Sequence, residues 1–164
     1  MTYFATMPSP VGELTLCSNG AAITGLYFST GSKARAAEST WQRDEARLAS
    51  ALRQVQEYFA GKRQRFDLPL APSATDFQSK VLDALQEIPY GEICSYKDIA
   101  NAIGNPKAVR AVGTANGNNP IAIIIPCHRV IGSDGSLAGF GGGLSAKRFL
   151  LDLESRNADF VLSN

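Results

Sequence analysis

The sequence predicts an α+β fold (α/β in the broad sense), with a strand-rich N-terminal lobe that carries one helix and a mostly helical C-terminal lobe. Three short stretches of strand composition open the chain, and most later segments have the apolar spacing of helices. At 164 residues, 45% of them hydrophobic, the chain can bury a core in one domain or in two small lobes that share an interface.

The N-terminal lobe is predicted to cover residues 1–72. Its strands are YFATM, ELTLCS and AITGLYF, separated by the turn sequences SPVG and SNGA. After a small, polar loop at residues 29–40, a helix from about Asp44 ends at Gly61. The apolar stripe of this helix is Leu48, Leu52, Val55 and Phe59. The extended sequence RFDLPLAPSA is interpreted as a linker, which puts the lobe boundary near residues 70–75.

The C-terminal lobe, residues 73–164, is predicted to begin with a helix and a helix-turn-helix. Thr75 and Gln78 have the spacing of a capping box at the start of the first helix. Pro89-Tyr90-Gly91 stops that helix. Its apolar stripe is Phe77, Val81, Leu85 and Ile88.

The helix-turn-helix is marked by a second capping box, Ser95 with Asp98, and by a turn at Gly104. Asn105 is expected to cap its second helix, with Pro106 at the first helical position. The inner face and the end of that helix are assigned to Val109, Val112 and Gly117.

The rest of the chain predicts a buried strand, a glycine-rich loop and a last helix. The continuous apolar run at residues 121–125 is interpreted as the strand, and it leads into the sequence PCHRV. A loop at residues 132–143 and a helix at residues 145–156 follow.

The three cysteines, Cys17, Cys94 and Cys127, are an odd number at irregular spacing, so a disulfide framework is not expected. This favours a reducing, cytoplasmic setting. The single histidine, His128, leaves too few ligands for an ordinary structural zinc site, and neither a metal nor a cofactor is expected. We also expect no secretory signal and no membrane partner, since no apolar run approaches the roughly 20 residues of a membrane span.

Cys127 is the residue on which a functional prediction depends. A lone cysteine in an apolar setting is commonly an inert core residue. However, Cys127 follows a stiffening proline and precedes His128 and Arg129, and cationic neighbours favour the nucleophilic thiolate. Because adjacent strand residues point to opposite faces, a direct hydrogen bond from Cys127 to His128 is not assumed, and His128 could instead be satisfied by the backbone.

Glu154 is the third candidate, because it shares one face of the last helix with Lys147, Leu150 and Leu151. A carboxylate on an apolar face is rarely buried unpaired, and an imidazole would be a suitable partner. The alternatives are pairing with Lys147 or Arg148, or exposure to solvent. Cysteine, base and orienting acid together form an activated nucleophile.

The sequence IPCHRVIG, with the upstream NP at 119–120 and the downstream GGL and LLxLE, closely resembles the active-site region of the O6-alkylguanine-DNA alkyltransferases. The resemblance runs from about Phe77 to Glu154 and includes PYGEICSYKDIA and GNPKAVRAVG. The N-terminal half resembles the family only in layout, where the family has a ribonuclease H-like lobe.

The resemblance implies a role for individual residues. Cys127 matches the alkyl acceptor, and His128 and Glu154 match the pair that deprotonates it through a water. Asn119 matches the asparagine that orients the site. Tyr96 matches the tyrosine that rotates the nucleotide and donates to guanine N3.

Further matches concern the base and the DNA. Arg110 matches the finger that fills the vacated stack, and Val130 and Cys127 match positions whose carbonyls accept from the guanine amine. Asn105 and Ser133 match polar positions near the DNA backbone. Phe140 stands where many members have a tyrosine, so backbone N–H groups near Gly141 would have to assist the leaving base.

The implied function is repair of double-stranded DNA by one irreversible transfer of an alkyl group from O6-alkylguanine, and by extension O4-alkylthymine, to Cys127. Base extrusion explains why a finger is needed. Phosphate-neutralising charge is expected from Lys107, Arg110, Arg129, Lys147 and Arg148, since the net charge of +1 alone indicates no nucleic-acid partner.

A monomer is expected, with cooperativity on DNA left open. The alternatives are a non-reacting lesion-binding protein of the same family, which would lack the acceptor thiol, and a different cysteine enzyme such as a hydrolase. For Arg110 the alternative is a solvated charge, and for the small residues around it, helix packing.

Overall fold

A computed structural model describes residues 1–158 and confirms the α+β architecture. The three predicted strands are present as β1 (Tyr3–Met7), β2 (Leu14–Ser18) and β3 (Ile23–Phe28). They form an antiparallel meander in which β2 lies between β3 and β1. A fourth strand, β4 (Gln42–Arg43), pairs in parallel with β1. Two residues are too short for a period-2 pattern, so sequence analysis did not predict β4.

Helix α1 (Ala49–Phe59) packs on this lobe with a slightly different face from the predicted one. It begins after the predicted Asp44 and ends near Gly61, whose φ of +74° suits glycine. Leu52 and Phe59 are only half-buried. The face that enters the core is Leu48, Ala51, Val55 and Tyr58.

Helix α2 (Asp76–Gln86) begins at the predicted cap. The Thr75 hydroxyl accepts from the Gln78 N–H at 3.1 Å. The Gln78 side chain does not complete the capping box, because its amide donates to the Asn118 carbonyl at 3.0 Å. The reciprocal capping box is instead present at Ser95 and Asp98.

The helix-turn-helix consists of α3 (Tyr96–Ala102) and α4 (Val109–Gly117). The predicted start of α4 was wrong. Residues 105–107 form a separate turn closed by the Ala108 N–H and the Asn105 carbonyl at 3.0 Å. Val109 is consequently 38% exposed and not part of the inner face, which consists of Val112, Ala115 and Asn116.

The predicted strand at residues 121–125 is instead a buried, tight turn. The Ile125 N–H donates to the Ile121 carbonyl at 3.0 Å, and Ile123 has φ of +71°. The Asn119 side chain spans the turn, donating to the Ile125 carbonyl at 2.8 Å and accepting from the Ile121 N–H at 3.0 Å. A turn buried on all sides has the same apolar composition as a buried strand, which explains the error.

The two lobes share backbone hydrogen bonds and one hydrophobic core. The predicted linker runs beside β3, where Ile23 bonds to both Pro69 and Ala71. The Leu26 N–H also donates to the Pro120 carbonyl at 2.9 Å. The remaining elements are the short parallel pair β5 (Cys94–Ser95) and β6 (Val130–Ile131) and the last helix, α5 (Leu144–Asn157). The lobe ranges 1–72 and 73–164 stay a prediction.

Candidate active site

Cys127 lies in a 3₁₀ turn, Cys127–Arg129, directly after the apolar turn. Its N–H donates to the Ile125 carbonyl at 2.8 Å. The residue is 5% exposed and lines a cavity of about 650 Å³ between the two lobes. Cys127 therefore differs from an ordinary core cysteine, because its buried position borders a space large enough for a ligand.

Burial raises the pKa of the Cys127 thiol, although a hydrogen bond from Asn119 and the charge of Lys147 act in the opposite direction. The expectation that sequence neighbours favour the thiolate was wrong. The adjacent Arg129 is committed to another partner, and burial outweighs the remaining positive charge. A thiol in this state needs a base to become nucleophilic.

The candidate base, His128, is adjacent to Cys127 in sequence. His128 is completely buried, and its Nε2 lies 2.6 Å from Oε2 of Glu154. An ionised carboxylate only accepts, so Nε2 carries the proton and Nδ1 has the free lone pair. Among residues 1–158, Nδ1 has no hydrogen-bond partner. Burial lowers the pKa of His128 despite the opposing charge of Glu154, so the ring is neutral and can accept a proton.

Glu154 pairs with the imidazole and not with Lys147, Arg148 or solvent. Oε1 accepts from Arg129 Nε at 2.7 Å and from the Gly91 N–H at 3.4 Å, and Oε2 also accepts from Arg129 Nη2 at 3.1 Å. Burial opposes ionisation of this carboxyl, but His128 and Arg129 together lower its pKa to about 2. The carboxylate is therefore charged at neutral pH.

Two cations expected to face DNA are instead structural. Arg129 is 7% exposed, and besides binding Glu154 it donates to the Ile88 carbonyl at 2.6 Å. Lys147 is completely buried, and its Nζ donates to the carbonyls of Val130 at 2.7 Å and Leu137. The assignment of both cations to phosphates was wrong because charge alone does not reveal whether a side chain is buried.

The orienting and base-contacting candidates converge on the cavity. Asn119 holds the turn before Cys127, and Tyr96, the first residue of α3, borders the same cavity. The Tyr96 ring lies 3.9 Å from where a Cβ on Gly113 would stand. An alanine at this position of α4 would therefore make an ordinary van der Waals contact with the Tyr96 ring.

Three further candidates lie in or beside this cavity. Phe140 and Gly141 line it, and the Phe140 ring packs edge-on against Phe28 with centroids 5.4 Å apart. Val130 is completely buried, does not line the cavity and has its carbonyl bonded to Lys147. Its expected contact with a guanine amine stays a prediction and would use the second lone pair of that oxygen.

The remaining candidates are on the surface. Arg110 in α4, Asn105 in the preceding turn and Ser133 in the glycine-rich loop are all exposed. The structure therefore leaves these side chains accessible to DNA and separates them from the buried His128–Glu154 pair.

Two contributions from the N-terminal lobe escaped sequence analysis. Tyr58 donates from Oη to Oε2 of Glu154 at 2.6 Å. Lys33, in the loop after β3, borders the cavity, donates through its N–H to the Gly141 carbonyl at 3.0 Å and through Nζ to Asn118 at 2.9 Å. A signal existed for Tyr58, because a tyrosine on the apolar face of a helix needs a polar partner.

No group of three or more histidine, cysteine or acidic residues within residues 1–158 could hold a metal ion. Over the same range, no helix is long and apolar enough to cross a membrane.

Comparison with known proteins places both lobes in one family. Residues 2–72 match the family model described as 6-O-methylguanine DNA methyltransferase, ribonuclease-like domain, and residues 76–156 match its DNA binding domain. The methylated-DNA–protein-cysteine methyltransferase of Methanosarcina barkeri is 51% identical over 155 residues, covering 94% of this chain and 98% of that protein. The constitutive enzyme of that name from Bacillus subtilis is 46% identical, covering 94% and 96%.

Solved structures agree with this result. The crystal structure of Mycobacterium tuberculosis OGT in complex with DNA matches with a TM-score of 0.88 at 47% identity, covering 94% of each chain.

Proposed function

This chain belongs to the 6-O-methylguanine DNA methyltransferase family, and we propose that Cys127 is its alkyl acceptor. The protein repairs DNA by transferring an alkyl group from the damaged base to one of its own cysteines, and the transfer consumes the protein. We propose alkylated guanine in double-stranded DNA as its substrate, with O4-alkylthymine as a second one.

The observation that carries the assignment is the position of Cys127, at the cavity and next to a base in sequence. The other two cysteines lack this setting. Burial raises the pKa of Cys17 and of Cys94 to about 11, as it raises that of Cys127, but neither Cys17 nor Cys94 lines the cavity. Within the described residues, Cys127 alone combines access to a ligand with a neighbouring His128–Glu154 pair.

The chemistry balances without a cofactor. The thiol proton of Cys127 passes to Nδ1 of His128, through a water as the family resemblance implies. The sulfur then attacks the alkyl carbon, so that an S–C bond forms as the O6–C bond breaks. In the overall balance the restored guanine, still attached to the DNA, carries at N1 the proton that the thiol lost. Tyr96, donating to N3, would stabilise the departing base.

DNA binding by α4 would deliver the nucleotide to this buried site. A base within a duplex must be extruded before its O6 can reach Cys127. The exposed Arg110 is placed on the surface where it could occupy the vacated stack, and Asn105 and Ser133 could contact the backbone. Residues 119–130 hold no exposed side chain, which suits entry through the cavity and not along the surface.

We propose that the protein acts as a monomer, because the described residues of one chain supply the thiol, the base and the acid. All three cysteines are free, which is compatible with a reducing, cytoplasmic location.

The assignment is tested by incubating the protein with a duplex oligonucleotide containing O6-methylguanine and mapping the protein by peptide mass. The peptide with Cys127 should gain one methyl group. The Cys94→Ser control should behave as the wild type, and Cys127→Ser should gain nothing. Methylation of Cys17 or Cys94, or transfer by Cys127→Ser, would refute the assignment.

A further inference from the structure

Within residues 1–158, the N-terminal lobe contributes one side-chain hydrogen bond to the His128–Glu154 pair, from Tyr58 of α1. Tyr58 is completely buried. Its Oη lies 2.6 Å from Oε2 of Glu154, and the same oxygen lies 2.6 Å from Nε2 of His128. The Tyr58 phenol, from the N-terminal lobe, and the His128 imidazole, from the C-terminal lobe, therefore both donate to Oε2 of Glu154.

We propose that Tyr58 is a positioning residue for alkyl transfer, whose hydroxyl holds Glu154 and shares its negative charge so that His128 stays neutral until it receives the thiol proton. This inference rests on the proposed function of Cys127. It concerns how His128 is held in its neutral form, and it assigns to the N-terminal lobe an indirect role in alkyl transfer.

The contacts of the Tyr58 ring are distinct from the contact of its hydroxyl, so the two contributions can be tested separately. The Tyr58 ring contacts Phe59, Phe66 and Tyr90, with centroids 5.3, 5.7 and 6.2 Å away. A phenylalanine would make the same contacts. The hydroxyl adds only the bond to Glu154 among the contacts within residues 1–158, so its effect is directed at the carboxylate.

The hydrogen-bond donors around Glu154 explain why the Tyr58 hydroxyl would affect the charge on its carboxylate. Arg129 occupies Oε1 at 2.7 Å, whereas Oε2 depends on Tyr58, His128 and a longer contact to Arg129 at 3.1 Å. A donor on a carboxylate oxygen stabilises its charge and weakens its pull on a neighbouring imidazolium. Removing the phenol should therefore leave Oε2 more negative and favour protonation of His128.

The other charged groups that face His128 would remain in place. Arg129 belongs to its own turn, and Lys147 and Glu154 reach it from α5. Cys127 is adjacent in sequence, and Tyr90 lies near Glu154. Both Arg129 and Lys147 disfavour a charged imidazole. Because their effect on the pKa of His128 would be the same with and without the Tyr58 hydroxyl, a change in that pKa could be assigned to Tyr58.

The experiment uses the single histidine of the sequence. In full-length protein labelled with ¹⁵N-histidine, His128 gives the only imidazole signals, which report the tautomer and the pKa. The same proteins are assayed for single-turnover transfer from an O6-methylguanine duplex as a function of pH. Tyr58→Phe is compared with Tyr3→Phe, which removes a phenol in the same lobe, where the ring lies under Arg47.

In Tyr58→Phe we expect the pKa of His128 to rise by about 0.5 or more. The acid limb of the rate profile should move up by the same amount, which lowers the rate on that limb about threefold. The rate on the plateau should stay within about twofold, and DNA affinity should not change. Tyr3→Phe should match the wild type.

A second variant covers the case in which Tyr58→Phe does not fold. Replacing Tyr58 by 3-fluorotyrosine preserves its shape and makes the phenol a stronger donor, so the pKa of His128 and the acid limb should both move down. Unchanged His128 signals and an unchanged rate profile in these variants would overturn the proposal. A lower free energy of unfolding together with an unchanged pKa of His128 in the folded variants would also overturn it, as a purely structural role predicts.

The proposed function has its own outcome in this assay. Wild-type protein that takes up no methyl group would refute the role of Cys127. An active wild type together with unresponsive Tyr58 variants would refute only the inference about Tyr58.

Discussion

Burial raises the pKa of both Cys127 and Glu154, but the net shifts of the two groups are opposite because their partners differ. Both side chains are almost completely buried. Burial dominates at Cys127 and raises its pKa, whereas His128 and Arg129 reverse its effect at Glu154. The negative charge of the site therefore lies on the Glu154 carboxylate, whereas burial favours the protonated form of the Cys127 thiol.

The ionisation of Glu154 predicts how stability depends on pH. Its pKa is about 2 in the folded protein against an ordinary value of 4.5. Since the folded pKa is the lower one, this contribution is complete above pH 4.5 and is lost as the pH falls towards 2. The difference corresponds to about 3 kcal/mol. The free energy of unfolding, measured with urea at a series of pH values, should show this loss in the wild type.

In Glu154→Gln this acid-dependent part should disappear, because no ionisable carboxyl remains. The variant should also lose about 3–5 kcal/mol at neutral pH, since Arg129 is left buried and unpaired. Glu57→Gln is the control, because Glu57 pairs with Arg63 near the surface, and should change stability by about 1 kcal/mol or less. An equal loss between pH 4.5 and 2 in wild type and Glu154→Gln would contradict the role of this carboxylate.

For individual residues, the sequence indicated which side chains belong to the candidate site better than it indicated which partners they contact. Cys127, His128 and Glu154 follow from the PCHRV motif and helix spacing, and the structure brings His128 and Glu154 into contact. Arg129 and Lys147 could not be separated from surface cations, because their burial depends on long-range packing. Tyr58 lies 96 positions from Glu154, and no local pattern connects the two.

At the scale of elements, helix α4 of the helix-turn-helix has an exposed side, which is proposed to bind DNA, and a buried side, which faces the turn with Cys127. Helix α4 carries the exposed Arg110 on one side and the buried Val112 and Asn116 on the other. The Asn116 amide donates to the Cys127 carbonyl at 3.4 Å. One short helix thus links the exposed surface around Arg110 to the turn that holds Cys127.

This arrangement predicts a substrate-dependent effect of Arg110→Ala. If the arginine fills the stack left by the extruded base, its loss should lower the repair rate in duplex DNA about tenfold or more, since extrusion costs a few kcal/mol. Reaction with free O6-alkylguanine base needs no extrusion and should be unaffected. Single-turnover rates on both substrates provide the measurement.

Lys107→Ala is the matched control, since Lys107 is an exposed cation in the turn before α4. It should weaken duplex binding and reduce its salt dependence without changing the rate at saturating DNA. Equal losses of Arg110→Ala on duplex and free base would exclude the finger role.

Elements with local signals were predicted correctly, and those fixed by tertiary contacts were not. Capping at Thr75 and Ser95 located α2 and α3. The start of α4 was wrong because a proline at position 106 suits a turn as well as a first helical residue. The run at 121–125 was wrong because Asn119 folds it into a turn, and apolar composition does not distinguish the two structures.

At the scale of the whole molecule, the lobes depend on each other. The loop after β3 closes one wall of the cavity, the Leu26–Pro120 bond joins the backbones, and Tyr58 reaches Glu154. The hydrophobic core contains residues of both lobes. The layout of two lobes follows from the sequence, but the extent of their interface does not, because residues distant in sequence form it.

We therefore expect the protein to unfold in one cooperative step. Trp41, the only tryptophan, stacks near Tyr27 in the N-terminal lobe, and its fluorescence reports on that lobe. Far-ultraviolet circular dichroism reports mainly on the C-terminal helices. The two urea transitions should coincide. Separate midpoints would show that the lobes unfold independently and would contradict a shared core.

The central claim is that Cys127 accepts one alkyl group and is not regenerated. Its most direct test is to titrate a fixed amount of protein with excess duplex containing O6-methylguanine and to count the guanines restored. We predict that repair stops at one guanine per protein molecule, with all Cys127 methylated. Continued restoration of guanine beyond that ratio, or a plateau reached with Cys127 unmodified, would contradict it.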